Sequence, residues 1–163
     1  MGECLTVGDV GVTVVAAVLE RFGVGLDIVP TGDAIPGTFW GEPEAGVIGH
    51  RVIARDDTPV HSVLHEGAHI ICMTGERRAV LNRDAGGSDL EESAVCYLQI
   101  LLADFIDGVG RKRLMTDMDR WGYSFRLGST AAWFDRDSDD ASRFLRDHGL
   151  IDSNEKPMWV LRP

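Results

Sequence analysis

The chain is poor in cysteine, has no long apolar run, and carries fewer basic than acidic residues. Cys4, Cys72 and Cys96 are its three cysteines among 163 residues. They are odd in number and far apart, and none lies in a C-x-x-C pair. This argues against a disulfide framework and against a cysteine zinc knot. Reduced thiols in a cytoplasmic setting are the expectation. No stretch of about 18 apolar residues occurs, so a membrane-spanning helix is not expected. The N-terminal segment has no basic region, and Asp9 interrupts its apolar run, so it does not read as a secretion leader. Lys and Arg number 16 against 26 Asp and Glu, a formal charge of −10. Such a chain repels a phosphate backbone, and no nucleic-acid partner is expected. The one basic cluster, Arg111-Lys112-Arg113, reads as a solvated face.

What remains is an ordinary globular composition, 44% hydrophobic and 26% charged, at a length that suits one domain. Apolar spacing predicts a helix over 7–22, with Val10, Val14, Ala17, Val18 and Phe22 on one face and Gly23 and Gly25 ending it. Residues 26–29 read as a short strand before Pro30. The Gly- and Pro-rich stretch 30–46 reads as a loop anchored by Trp40. Residues 46–55 read as a second strand with two mixed faces, and 47–54 as an edge open to an added peptide strand. Thr58 as N-cap and Pro59 at the first helical position open a helix to about Met73, with Gly75 just past its end. Another helix runs from about Asp89 to Ile106 on the stripe Ala94, Val95, Leu98, Leu101, Leu102 and Phe105. Further on, the pattern predicts helices over 112–120 and 139–148 and a closing strand over 158–161.

The chemistry is concentrated at His65-Glu66-Gly67-Ala68-His69. Two histidines four apart share one helix face, one turn apart, where a single ion can bind both. Zinc suits imidazole and imposes no geometry of its own. Glu66 sits about 100° around the helix from His65, so it reaches a water beside the ion without being a ligand. That arrangement supplies a Lewis acid and a general base in one turn. The surrounding apolar residues put the motif in mid-helix, the context it requires.

A catalytic zinc commonly takes three protein ligands and leaves one position open. His61 and His69 are eight residues apart, about 12 Å along a helix, so one straight helix cannot bring His61 in as the third. His61 therefore reads as a helix-surface residue. The better source is the start of the second strong helix. Glu91 continues its apolar stripe and points toward the zinc if that stripe packs on the metal-bearing helix. Glu92 lies about 100° away from the stripe. Ser88 with Glu91 also matches a capping box, in which case Glu92 becomes the ligand. Tyr97, Tyr123, His50 and Arg126 are chemically able to support an oxyanion. Cys96 and Gln99 lie on the Glu92 side of their helix.

The motif His65-Glu66-Gly67-Ala68-His69, followed by Glu91-Glu92-Ser93-Ala94-Val95-Cys96-Tyr97 with Leu101-Leu102 behind it, resembles the ImmA/IrrE group of gluzincin-type zinc metallopeptidases. The resemblance covers about residues 7–106 and leaves 107–163 as an extension. It implies zinc ligands at His65, His69 and Glu91, with Glu66 as base and a peptide or protein as substrate. Val95 stands where the family has Asn or Asp, and the family's Pro after the leucines is missing.

These readings converge on an α+β, zincin-like domain spanning 1–163. A small, partly antiparallel sheet is expected to pack on the H-E-x-x-H helix and on a second ligand-bearing helix. The expected function is that of a zinc-dependent hydrolase, a metallopeptidase. Two rivals come from other classes: a zincin-fold protein that binds a partner without cutting it, and a metal hydrolase of small amides.

Overall fold

The computed structural model describes residues 3–163. They form an α+β structure with eight α-helices and one small mixed sheet. Thr6 opens the first helix, α1 (Val7–Val10), with a reciprocal capping box. Its hydroxyl accepts from the Asp9 N–H at 3.1 Å, and the Asp9 carboxylate accepts from the Thr6 N–H at 3.0 Å. The single helix expected over 7–22 breaks at Gly11, whose φ of +112° only glycine adopts without strain. The chain resumes as α2 (Val12–Glu20).

The sheet holds β1 (Gly25–Ile28), β2 (Gly46–Ile48) and β3 (Arg51–Ala54) in the order β1-β3-β2. β1 runs parallel to β3, and β2 antiparallel to it. The strand expected over 46–55 is thus a hairpin that reverses at Gly49, where φ is +60°. The reversal explains why neither alternating face of that stretch was purely apolar. It also corrects the expected edge, because β3 is central. The outer N–H of Val47 on β2 already donates to the Gly37 carbonyl at 3.0 Å, so no open strand edge lies there.

Two helices form the middle of the molecule. α3 (Val60–Cys72) packs on α5 (Asp89–Ala103), which is flanked in turn by α6 (Gly110–Trp121) and α8 (Asp139–Asp147). Val63, Leu64, Ile70 and Ile71 of α3 and Leu98, Ile100 and Leu102 of α5 are fully buried in one cluster. Each such side chain contributes about 1.5–3 kcal/mol. The same cluster takes in Leu114, Met118, Trp133, Leu145 and Leu150, so residues beyond 107 share this core. On the other side, α2 approaches α3 closely at Gly67. A Cβ there would lie 2.6 Å from Leu19 Cδ2.

Both ends of α3 differ from expectation. Pro59, not Thr58, occupies the N-cap, and the Thr58 hydroxyl accepts from the Arg55 N–H instead. At the other end, Gly75 does not close the helix. It begins the short α4 (Gly75–Ala79), capped by Thr74. The last carbonyls of α3 and its cap are taken by arginines. Arg78 donates to Ile70 O at 2.9 Å and to Met73 O at 2.7 Å. Arg162 serves Ile71 O through its backbone N–H at 3.0 Å and Cys72 O through its guanidinium at 3.1 Å. The strand expected over 158–161 does not form. That stretch lays Trp159 against Phe22 and Phe105, with Arg21 over its ring. α7 (Thr130–Arg136) was not foreseen. Among the described residues, no helix is long and apolar enough to cross a membrane.

Arg78 is buried and serves three carbonyls, the third being Arg162 O at 2.7 Å. Arg78→Met is expected to lower unfolding free energy by about 2–3 kcal/mol, because buried acceptors lose a charged donor. A urea melt reads this directly, and an unchanged midpoint would refute the capping role.

Candidate metal centre and its cleft

Of the 13 residues of α3, only His65 and Glu66 keep partial solvent exposure; the rest are buried. The cleft therefore opens over the two residues that begin the motif. One turn on, His69 stands beside His65, with ring centroids 4.7 Å apart. From the first turn of α5, Glu92 reaches across. One carboxylate oxygen lies 3.0 Å from His65 Nε2, and the other lies 3.0 Å from His69 Nε2. The three donor atoms all fall within 4.8 Å of one another. Four-coordinate zinc with bonds of about 2.0–2.1 Å sets its ligand atoms roughly 3.3 Å apart. Two imidazole nitrogens and a carboxylate oxygen at this spacing fit such an ion in both chemistry and size.

The tautomer of His65 follows from its surroundings. Gln99 Nε2 donates to the His61 carbonyl at 3.1 Å, which turns Gln99 Oε1 toward His65 Nδ1 at 2.6 Å. An amide oxygen only accepts, so Nδ1 carries a proton, and Nε2 is the nitrogen left to face the centre once its own proton gives way to an ion. His69 has no such support, because its buried Nδ1 has no hydrogen-bond partner among the described residues. Burial disfavours charge on His65, but Tyr123, Cys96 and Glu92 outweigh it and raise its pKa well above the usual value. Burial likewise pushes the Glu92 carboxyl up, and the two imidazoles more than reverse that and hold it far below the carboxylate range. For Glu66, burial dominates and raises its pKa. His65 and His69 offset this in part, while Glu44 and Glu92 reinforce it.

The expected first choice for the third ligand, Glu91, is not in this cluster. Its carboxylate receives both Nη groups of Arg77, at 2.7 and 2.8 Å, and Arg162 Nη1 at 3.3 Å. It is buried and turned away from His65 and His69. The Ser88 hydroxyl accepts from the Glu91 N–H at 3.1 Å. Ser88 and Glu91 thus make the backbone half of the expected box, while the Glu91 side chain goes to the arginines. The alternative, Glu92, is the one the structure brings to the histidines, because the apolar stripe of α5 is buried on several sides and does not point only at α3.

His61 is also corrected. It is buried, with Nδ1 3.3 Å from the Tyr123 hydroxyl and its ring 5.2 Å from that of Trp121. Burial, then the proximity of His65, lowers its pKa to about 4. Among the candidate oxyanion donors, Tyr123 lines the cleft beside Glu66 and Glu92. Tyr97 bonds Glu155 on another face, Arg126 pairs with Asp137 on the surface, and His50 sits in the exposed hairpin turn.

The cleft has two connected arms. One, of about 320 Å³, runs past His65, Glu66 and His69 between Phe39 and the 83–89 segment. The other, of about 440 Å³, lies between Trp40, Trp121 and Tyr123. Trp40 was expected to anchor its loop but is 77% exposed. The anchor is Glu44, which accepts from Trp121 Nε1 at 2.6 Å and from the Ser62 hydroxyl at 2.8 Å. No pattern in the sequence marked Glu44. No protein-family model matches the chain, and neither a curated protein nor a solved structure matches it.

The two neighbouring glutamates are expected to separate cleanly. Glu92→Ala loses stoichiometric zinc, read by elemental analysis after a chelator challenge. Glu91→Ala keeps zinc but is destabilised by about 2–3 kcal/mol, as two part-exposed arginines lose a charged acceptor. The reverse pattern would return Glu91 to the centre. For His61, the unfolded chain takes up a proton near pH 6.5, whereas the folded chain does so only near 4. Stability of the metal-free chain therefore falls as pH drops through this window, by about 3 kcal/mol in all. In His61→Phe this part of the acid loss should be missing from pH-dependent denaturant melts.

Proposed function

We propose that the chain is a zinc-dependent hydrolase of zincin type that cleaves peptide bonds, with His65, His69 and Glu92 holding the ion and Glu66 as the catalytic base. The observation that carries this is the convergence of two imidazole nitrogens and one carboxylate beside a carboxyl that is not a ligand. Zinc, when bound, lowers the pKa of a water to about 7 and polarises the scissile carbonyl. Glu66 accepts the proton of the attacking water. It then passes that proton to the leaving amine. Gln99 keeps the His65 ring in the binding tautomer. Tyr123, which lines the cleft with Glu66, is the donor we assign to the oxygen that gains charge in the tetrahedral intermediate. If His61 Nδ1–H donates to the Tyr123 oxygen, the phenolic proton is left free for that task.

The resemblance to the ImmA/IrrE group supports the same reading through His65, Glu66 and His69; its implied third ligand, Glu91, lies outside the cluster, and Glu92 is the one we assign. A peptide or protein substrate is favoured because the cleft is open along two arms rather than closed around a small molecule.

The test compares zinc-loaded wild type with Glu66→Gln on a peptide library. Wild type is expected to cut, and the variant to cut at least 100-fold more slowly at equal zinc content. Equal inertness of both preparations would leave the fold as a binding module. Turnover confined to small amides would move the assignment to a non-peptidase hydrolase.

A further inference from the structure

The arm of the cleft beside Glu66 has an unusual wall. Its sides are the rings of Trp40, Trp121 and Tyr123, and its acidic groups are Glu44, Glu66 and Glu92. Neither Lys nor Arg lines it. His65 also lines the arm, as a member of the candidate ligand set, and His61 lies behind the aromatic side, its ring centroid 5.2 Å from that of Trp121 and 5.4 Å from that of Tyr123. Burial keeps the pKa of His61 near 4, so it adds no positive charge at neutral pH. A divalent ion at the centre offsets two of the three carboxylates and leaves one negative charge at the wall. That charge is best assigned to Glu44, the acid farthest from the ligand set by role, since it binds neither the ion nor the reacting water.

Glu44 is held rather than loose. Trp121 Nε1 and the Ser62 hydroxyl each donate to a different oxygen, and the Ala45 N–H donates to Ser62 in turn. Each carboxylate oxygen can accept more than one hydrogen bond, so both retain capacity toward the cavity. Aromatic faces attract cations through their quadrupole, at exposed sites as well as buried ones, and Trp40 and Trp121 are both solvent-exposed side chains of this arm. A carboxylate fixed by the N–H edge of Trp121, in an arm that Trp40 also lines, is complementary to a flat, weakly hydrated cation such as a guanidinium. An anionic or purely apolar group would leave Glu44 facing a ligand that cannot satisfy it.

Resting on the hydrolase reading above, we infer that this arm is a specificity subsite that seats the cationic side chain of a basic residue next to the scissile bond, with Glu44 as its counter-ion and Trp40 and Trp121 as its walls. The substrate class is then a peptide carrying Arg or Lys beside the cut. Glu44 is a specificity residue in this scheme and takes no part in proton transfer.

The test uses N-acetyl-arginine amide and N-acetyl-citrulline amide, which share shape and differ in charge. Each is titrated into the zinc-loaded chain while tryptophan fluorescence is read, so the result does not depend on turnover. The arginine compound is expected to bind at least fivefold more tightly. In Glu44→Gln, which keeps an acceptor for Trp121, that ratio should fall below twofold. In Trp40→Ala, which removes a solvent-exposed ring outside the core cluster, arginine binding should weaken severalfold. Equal binding of both compounds by wild type overturns the inference. So does a preference seen only with unacetylated compounds, which would assign the arm to a peptide N-terminus. Arginine selectivity without Glu66-dependent peptide cleavage would sink the hydrolase reading while leaving the subsite in place. Cleavage without arginine selectivity would do the opposite.

Discussion

The packing of α3 on α5 is the constraint on which the rest depends. Neither helix carries a complete ligand set. α3 supplies two imidazoles one turn apart, and the third donor arrives only because the first turn of α5 lies across that face. The same interface carries Gln99, whose amide spans the His61 carbonyl and the His65 ring. A neutral amide thus converts helix packing into a choice of tautomer. Sliding α5 by one residue would lose Glu92 and the Gln99 bridge together, so the buried apolar contacts on either side also keep the chemistry in register.

Periodic features could be read in advance. The helical spacing around His65 and His69 needs only the 3.6-residue turn, and the two long helices follow from apolar stripes with recognisable ends. The choice between Glu91 and Glu92 was of another kind. Both lie at the start of one helix, and what separates them is Arg77 on α4 and Arg162 near the end of the chain. No local pattern links residue 91 to residue 162. His61 misled for a related reason. Its helix is wrapped on nearly all sides, so a polar residue off the apolar stripe is buried too, and Tyr123 from a distant segment receives it. The hairpin at Gly49 was hidden because a tight two-residue reversal leaves both short arms looking like one strand of mixed character.

The segment after residue 107 was the least legible, yet it completes the site. α6 ends by presenting Trp121 and Tyr123 to the cleft, and the final residues close the C-terminus of α3 through Arg162. These are single long-range contacts without periodicity, which local spacing does not encode. What looked like an appendix to the helices of the candidate metal centre is the wall and the fastening of that centre.

The two histidines are not equivalent, and this bears on how firmly the candidate centre would keep an ion. Gln99 fixes the His65 ring so that Nε2 is its inward-facing nitrogen, whereas the buried Nδ1 of His69 has no hydrogen-bond partner among the described residues. Hydrogen-bond support behind a ligand is worth about 10- to 100-fold in affinity. A centre braced on one side only would exchange its ion more readily than a fully braced one, and its occupancy would follow the concentration of free zinc around it.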